Sequence, residues 1–252
     1  MKALIKYHAS AYVTSAKFVM PLLVYFLFLV GFYGNSPKMV VTSFSLSAAV
    51  LYIIMVWAGF VFSDSEEAIA EQILILKAKK ISTYYISKIV FLFVFSCFMS
   101  FIGIIAPALF NVIFKVSGKT LFYKPQDGKL EGLTVASILI GFLIHVLAGF
   151  LGGTVGFAFH PRIFRNRKVT VIVAMLVGFM GFVKGALMVD FKMAKFFVWI
   201  FPPMYDLVKS ADNPEVTNVF PIGDMIVPLL VVVVYSVVLS ALCVFAVKKK
   251  GF

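Results

Sequence analysis

Charge is what this sequence has least of. Asp, Glu, Lys and Arg make up 13% of its 252 residues, about half the share of a soluble domain. With 62% hydrophobic residues as well, a soluble fold and a large soluble domain are both excluded, and the class is polytopic membrane protein. Acid is the scarcer sign, with 11 Asp and Glu against 23 Lys and Arg. Every carboxylate lies in a loop or at the edge of an apolar run, which argues against a proton-coupled carrier, since such carriers relay through intramembrane acids. In a soluble chain the net charge of +12 would suggest nucleic acid. Here it reads as basic loops held at a bilayer surface, and no nucleic-acid partner is expected. Cysteine is almost missing. Cys97 and Cys243 stand alone in apolar runs, with neither disulfide framework nor metal spacing, so they read as small core hydrophobes. There is no H-E-x-x-H and no paired intramembrane aspartate. The pattern E-E-x-x-x-R begins at Glu66-Glu67 but has Glu71 where Arg is needed. Membrane-embedded hydrolysis therefore has no general base, and no catalytic residue, metal or cofactor is expected in this chain.

What is present is a succession of apolar runs. A bilayer core takes about 20 such residues per helix, and six runs qualify: 18–34, 40–62, 87–114, 134–159, 170–189 and 226–247. The expectation is an all-α, single-domain membrane protein over 1–252 with six transmembrane helices. Residues 1–17 place Leu4, Ile5, His8, Ala11 and Tyr12 near one helical face among Lys2, Lys6 and Lys17, which suits a helix lying in the membrane interface. The lysines are spread too widely for a signal peptide, and the next apolar run carries no small-residue cleavage pattern. Lysine and arginine set the orientation: 14 fall on the side holding both termini and the 63–86 and 160–169 loops, against 8 on the other, with Lys184 inside the fifth run. Both termini and those two loops are expected in the cytoplasm. The segment 190–225 is apolar yet broken by Pro202 and Pro203. It reads as a half-inserted outer hairpin packed on spans five and six, with Trp199, Pro202, Pro203 and Tyr205 as an outer gate.

Small residues mark close helix contacts. Gly149, Gly152, Gly153 and Gly156 in the fourth run, and Gly181 and Gly185 in the fifth, recur at four-residue spacing. They fit either packing of span four on span five or an interface with a second copy. His145 is expected to be hydrogen-bonded inside the bundle, and Lys184 to snorkel toward the outer surface.

The segment 63–90 breaks the apolar pattern. Ile69, Ile73 and Leu76 recur at helical spacing. Glu66, Glu67 and Glu71 come before Lys77, Lys79 and Lys80, an order that complements a helix dipole. A short amphipathic cytoplasmic helix is predicted. Here the sequence resembles the ABC type-2 permeases, which carry E-x-G-T-x-E-x-L-L between spans two and three, then a basic turn and a Lys opening span three. Glu66, Glu71, Ile73, Leu74 and Lys88 match; Ala68 and Ile69 replace Gly-Thr, and Lys77-Ala78-Lys79 stands where a proline is common. FHPRIFRNRKVT at 159–170 is similar to the family's basic loop between spans four and five, and WIFPPMYDLVKS at 199–210 to its outer hairpin.

The resemblance implies a permease of the bacterial cytoplasmic membrane. Its coupling helix would dock in a separate ABC ATPase subunit through Glu66, Glu67, Glu71, Ile73, Leu74 and Lys77, with Arg162, Phe164 and Arg165 as a second contact. Two ATPase copies, carrying the ATP and Mg, would serve a permease paired with a second copy or a paralogue. The chain's own SGKT at 117–120 lacks the first P-loop glycine, having Ile113 at that position, and falls on the outer side. With 29 Phe and few charges, a path through the protein suits an amphipathic peptide such as a toxin or bacteriocin, as in the phenol-soluble modulin exporters, or a lipid. A non-transporting membrane partner or immunity protein is the competing reading.

Overall fold

The computed structural model describes residues 1–36, 38–119, 121–122, 133–161, 163–164, 166–190, 197–211 and 220–250. All regular elements among them are helical: α1 (Lys2–Thr14), α2 (Val19–Tyr33), α3 (Val40–Ser63), α4 (Ala68–Ala78), α5 (Ile81–Val116), α6 (Val135–Ala158), α7 (Arg167–Asp190), α8 (Met204–Ala211) and α9 (Ile222–Lys250), with a 3-10 turn at Val198–Ile200. Five of these helices, α3, α5, α6, α7 and α9, are long and apolar enough to cross a membrane. The first predicted span is different. Helix α2 has 15 residues, about 22 Å at helical rise, short of the roughly 30 Å of a hydrocarbon core. A sixth crossing exists only if α1 and α2 together form one span, broken by a 72° bend. At that bend Ala16 takes φ 54°, a backbone that non-glycine residues rarely adopt. Helix α5 runs the other way in length. Its 36 residues reach about 54 Å, starting at Ile81 rather than 87, so it projects beyond a bilayer core.

Helix α3 is the hub. Phe44, Ser47, Leu51, Tyr52 and Met55 on it are wholly buried. Two α6 glycines explain how closely α6 lies along it: a Cβ on Gly152 would stand 2.2 Å from the Tyr52 carbonyl oxygen, and one on Gly156 would stand 2.0 Å from that of Val56. In lipid there is no hydrophobic force between helices, so this backbone-to-backbone approach supplies dispersion contacts instead. The small residues of span four therefore pack on span two rather than on span five, because α3 occupies the centre of the bundle. Gly149 faces Ser96 of α5, and Gly153 lies against Met55. On α7, Gly181 meets the Tyr52 hydroxyl and Pro202, and Gly185 meets the Tyr205 ring. His145 ties α6 to α3 inside the bundle: Nδ1 donates to the Gly141 carbonyl at 2.6 Å, and Nε2 lies 2.9 Å from the Ser47 hydroxyl.

The contacts sort the connections into two ends. One end gathers α1, the α3–α5 connection, His160, Arg167 and the last turn of α9. The other gathers Lys38, Leu121, Phe122, the 197–211 segment and Phe220. At this second end α8 packs on α7, α9 and α3. Residues 191–196 and 212–219 of the predicted hairpin lie outside the described residues. Lys184 does not snorkel outward. It is 4% exposed and paired with Asp206 of α8, whose own side chain is 38% exposed, because the apolar 198–211 segment folds back onto α7 and brings that acid within reach. Ser117, Gly118 and Lys119 close the C-terminus of α5 rather than open a helix.

Candidate functional site: a charged clasp around α4

Three of the chain's few carboxylates meet at the first end, in or beside the short link between α3 and α4. Each grips a different neighbour. Asp64, at the C-cap of α3, pairs with Arg167, the first residue of α7. Glu66 lies 2.9 Å from Lys88 of α5. It also accepts a hydrogen bond from His8 Nδ1 of α1 at 3.1 Å, and another from the Tyr84 hydroxyl. Glu71 accepts from the Tyr85 hydroxyl at 2.5 Å and lies 3.8 Å from His160 Nε2 in the α6–α7 connection. One stretch of eight residues, 64–71, is thus fastened to α1, α5, the start of α7 and the loop before it.

Local sequence explains the arrangement. Helix α4 begins at Ala68, so Glu66 precedes the helix and Glu67 is its N-cap, leaving Glu71 as the first-turn acid and Lys77 as the last-turn base. Glu71 and Ile75, one turn apart, form the inward face, 7% and 3% exposed. The ridge on the opposite side is apolar: Ile69, Ile73 and Leu76 are 71%, 48% and 73% exposed. An ordinary amphipathic helix does the reverse. Here the carboxylate faces the protein because Tyr85 and His160 are there to receive it, and a buried charge must be paired.

Aromatic rings close over the clasp. His8 stands edge-on to Phe62 and Tyr84, with centroids 6.0 and 5.5 Å away. The Lys88 ammonium lies 5.0 Å from the Tyr84 ring centroid and 5.6 Å from that of Phe62. Lys88 itself is 1% exposed. In this low-dielectric setting burial alone would raise the Glu66 carboxyl above its ordinary value. The His8 hydrogen bond, the Lys88 charge and the Tyr84 hydroxyl outweigh burial and lower it from 4.5 to about 2. The sign of the pH effect follows. A depressed folded-state value adds stability that is fully present above about pH 4.5 and is lost as pH falls toward 2. The unfolding midpoint in detergent should therefore drop more steeply between those values for the wild type than for Glu66→Gln. Parallel slopes would show that Glu66 carries no such linkage.

The residues expected to touch an ATPase divide accordingly. Glu66 and Glu71 are engaged inside the protein. Glu67, Ile73 and Lys77 are exposed, and Leu74 is half-buried against the core. Phe164 is 41% exposed and packs on Phe159, while Arg162 and Arg165 lie outside the described residues. Of the outer-gate group, Pro202 and Pro203 are buried beside α8, Tyr205 fills the space above Gly185, and Trp199 is 74% exposed. Sequence reasoning did not find His8, Tyr84, Tyr85 or His160 as clasp partners. Their one visible signal is the placement of polar side chains at the mouths of apolar runs.

A second feature lies toward the other end. Val24 of α2, Ser45, Ala49 and Ile53 of α3, Phe182 of α7 and Val208 of α8 line an apolar groove of about 740 Å³. The Ser45 hydroxyl is buried there with no hydrogen-bond partner among the described residues. No cluster of three or more His, Cys, Asp or Glu side chains able to hold a metal occurs among the described residues. Comparison with protein-family models, curated proteins and solved structures gives no match.

Proposed function

We propose that this chain is the membrane-spanning permease subunit of an ATP-driven exporter of the ABC type-2 kind. It would sit in a bacterial cytoplasmic membrane with both termini inside and be powered by a separate ATPase that carries the ATP and Mg. Two permeases, identical or paralogous, and two ATPases would form the working unit. The observation that carries this reading is the orientation of α4. Its inner face is fastened by Glu71, with Glu66 just before it, to α1, α5 and the α6–α7 connection. Its outer face offers the apolar ridge Ile69, Ile73 and Leu76. A helix gripped on one side and bare on the other is suited to receive a push and pass it to several helices at once. The groove between α2, α3, α7 and α8 supports an amphipathic cargo, most simply a peptide: its walls are apolar, and Ser45 and Thr42 supply single polar points.

Photo-crosslinking residues placed at 69, 73 and 76 in intact membranes test the docking step. The expected product is an adduct with a protein that carries a nucleotide-binding motif and hydrolyses ATP, lost in Ile73→Arg, with hydrolysis stimulated by an amphipathic peptide in the reconstituted complex. Adducts with lipid alone would end the coupling-helix reading. Adducts with an ATPase whose hydrolysis ignores peptides would favour a non-transporting membrane partner.

A further inference from the structure

We propose that a basic pocket between the α4–α5 junction and the end of α9 binds the phosphate headgroup of an anionic membrane phospholipid. The pocket encloses about 410 Å³ and is lined by Lys79, Lys80 and Lys248 over Ile75, Leu76 and Ile81. The three ammonium groups come from two separate parts of the chain, the turn between α4 and α5 and the last turn of α9. Among the described residues no carboxylate lines the cavity, and none of the three lysines forms an ion pair. Of the acids at 64–71, Asp64, Glu66 and Glu71 are committed to Arg167, to Lys88 with His8, and to Tyr85, and the exposed Glu67 stands at the start of α4, about three turns from Lys79. Three lysines lining one cavity repel one another, so the site favours an anion. Lys79 is held at φ 62° as the C-cap of α4, a backbone unfavourable for a residue with a side chain, so the fold maintains this turn against a cost.

The surroundings select a lipid over a free phosphate. One turn deeper on the same helix faces, Ile86 lies below Ser82 on α5 and Phe245 below Lys248 on α9, 42% and 66% exposed. They offer apolar surface for acyl chains directly beneath the ammonium groups. Basic pockets between membrane helices at the cytoplasmic surface recognise phospholipid headgroups in this way, through charge at the interface and contact below it. The inference requires only that this end of the bundle lie at a membrane surface. It does not depend on transport.

The test uses the full-length protein in mixed micelles with spin-labelled phosphatidylglycerol or phosphatidylcholine. The wild type should hold phosphatidylglycerol at least about thirtyfold more tightly, on the order expected for two or three lysines acting near an interface. The triple variant Lys79→Gln, Lys80→Gln, Lys248→Gln should lose that preference, and Lys248→Glu alone should lose most of it. A control triple at the other end of the bundle, Lys38→Gln, Lys115→Gln, Lys119→Gln, should keep it. Equal binding of the two lipids by the wild type, or an undiminished preference in the pocket triple, overturns the proposal. So does displacement of the lipid by inorganic phosphate at matched ionic strength, which would mark a free-anion site. The measurement contains no ATPase, so its failure leaves the transport reading standing, and the reverse holds too.

Discussion

Glu66→Gln should lower the apparent unfolding midpoint of the purified protein by about 10 °C. The substitution keeps the shape of the side chain and removes its charge. Lys88, 1% exposed, then remains in a low-dielectric site with no countercharge, only a neutral amide group and the faces of Tyr84 and Phe62 beside it. Stranding one member of a buried pair costs about 3–5 kcal/mol, and a chain of this length loses about 2–4 °C per kcal/mol. Lys88→Met alone should cost less, since the carboxylate keeps donors in His8 and Tyr84. The double variant is the decisive one. With the ammonium gone as well, nothing charged is stranded, and more than half of the Glu66→Gln loss should return. A melt of Glu66→Gln within about 2 °C of wild type, under about 1 kcal/mol by the same scale, would refute the clasp. Equally, a double variant no better than the sum of the singles would refute it.

How much of this was legible beforehand depends on the range of the signal. Hydropathy is local, and α3, α5, α6, α7 and α9 follow the apolar runs closely. The shortfall of α2 was not legible. The corner at Ala16–Phe18 lies at the start of the apolar run 18–34, and nothing in the composition there shows the 72° bend. The α4 helix was legible from its period, but which stripe faced inward was not, because that choice is made by Tyr85 and His160. The same holds for His8, seen on one face of its helix, whose partner Glu66 is 58 residues away. Lys184 was misread for a related reason. Its partner Asp206 is 22 residues away, beyond a segment that looks like a surface loop until it is folded back onto α7. Charges in lipid need partners, but sequence spacing does not name them.

Glycine substitution in α6 should show the largest effect on assembly of the fold. In Gly156→Ala the new methyl would stand 2.0 Å from the Val56 carbonyl oxygen and 2.7 Å from the Phe60 nitrogen. Both are backbone atoms of α3, so no side chain can rotate away and the two helices must separate along their shared length. Overpacking a core commonly costs 1–3 kcal/mol. A clash between main chains should exceed that, and Gly156→Leu should abolish the monodisperse protein in size-exclusion chromatography. The same change at Gly31 should do the opposite. Nothing lies within 4 Å of a Cβ there, and alanine gains about 1 kcal/mol over glycine in a helix, so Gly31→Ala should melt at or slightly above the wild type. The pair also separates two roles for the α6 glycines. If they joined two copies of the chain, Gly156→Ala would shift the oligomeric state and leave the protomer's melting unchanged. If they join α6 to α3, the protomer itself loses stability whether or not it is paired, and Gly156→Ala melting with the wild type would rule that contact out.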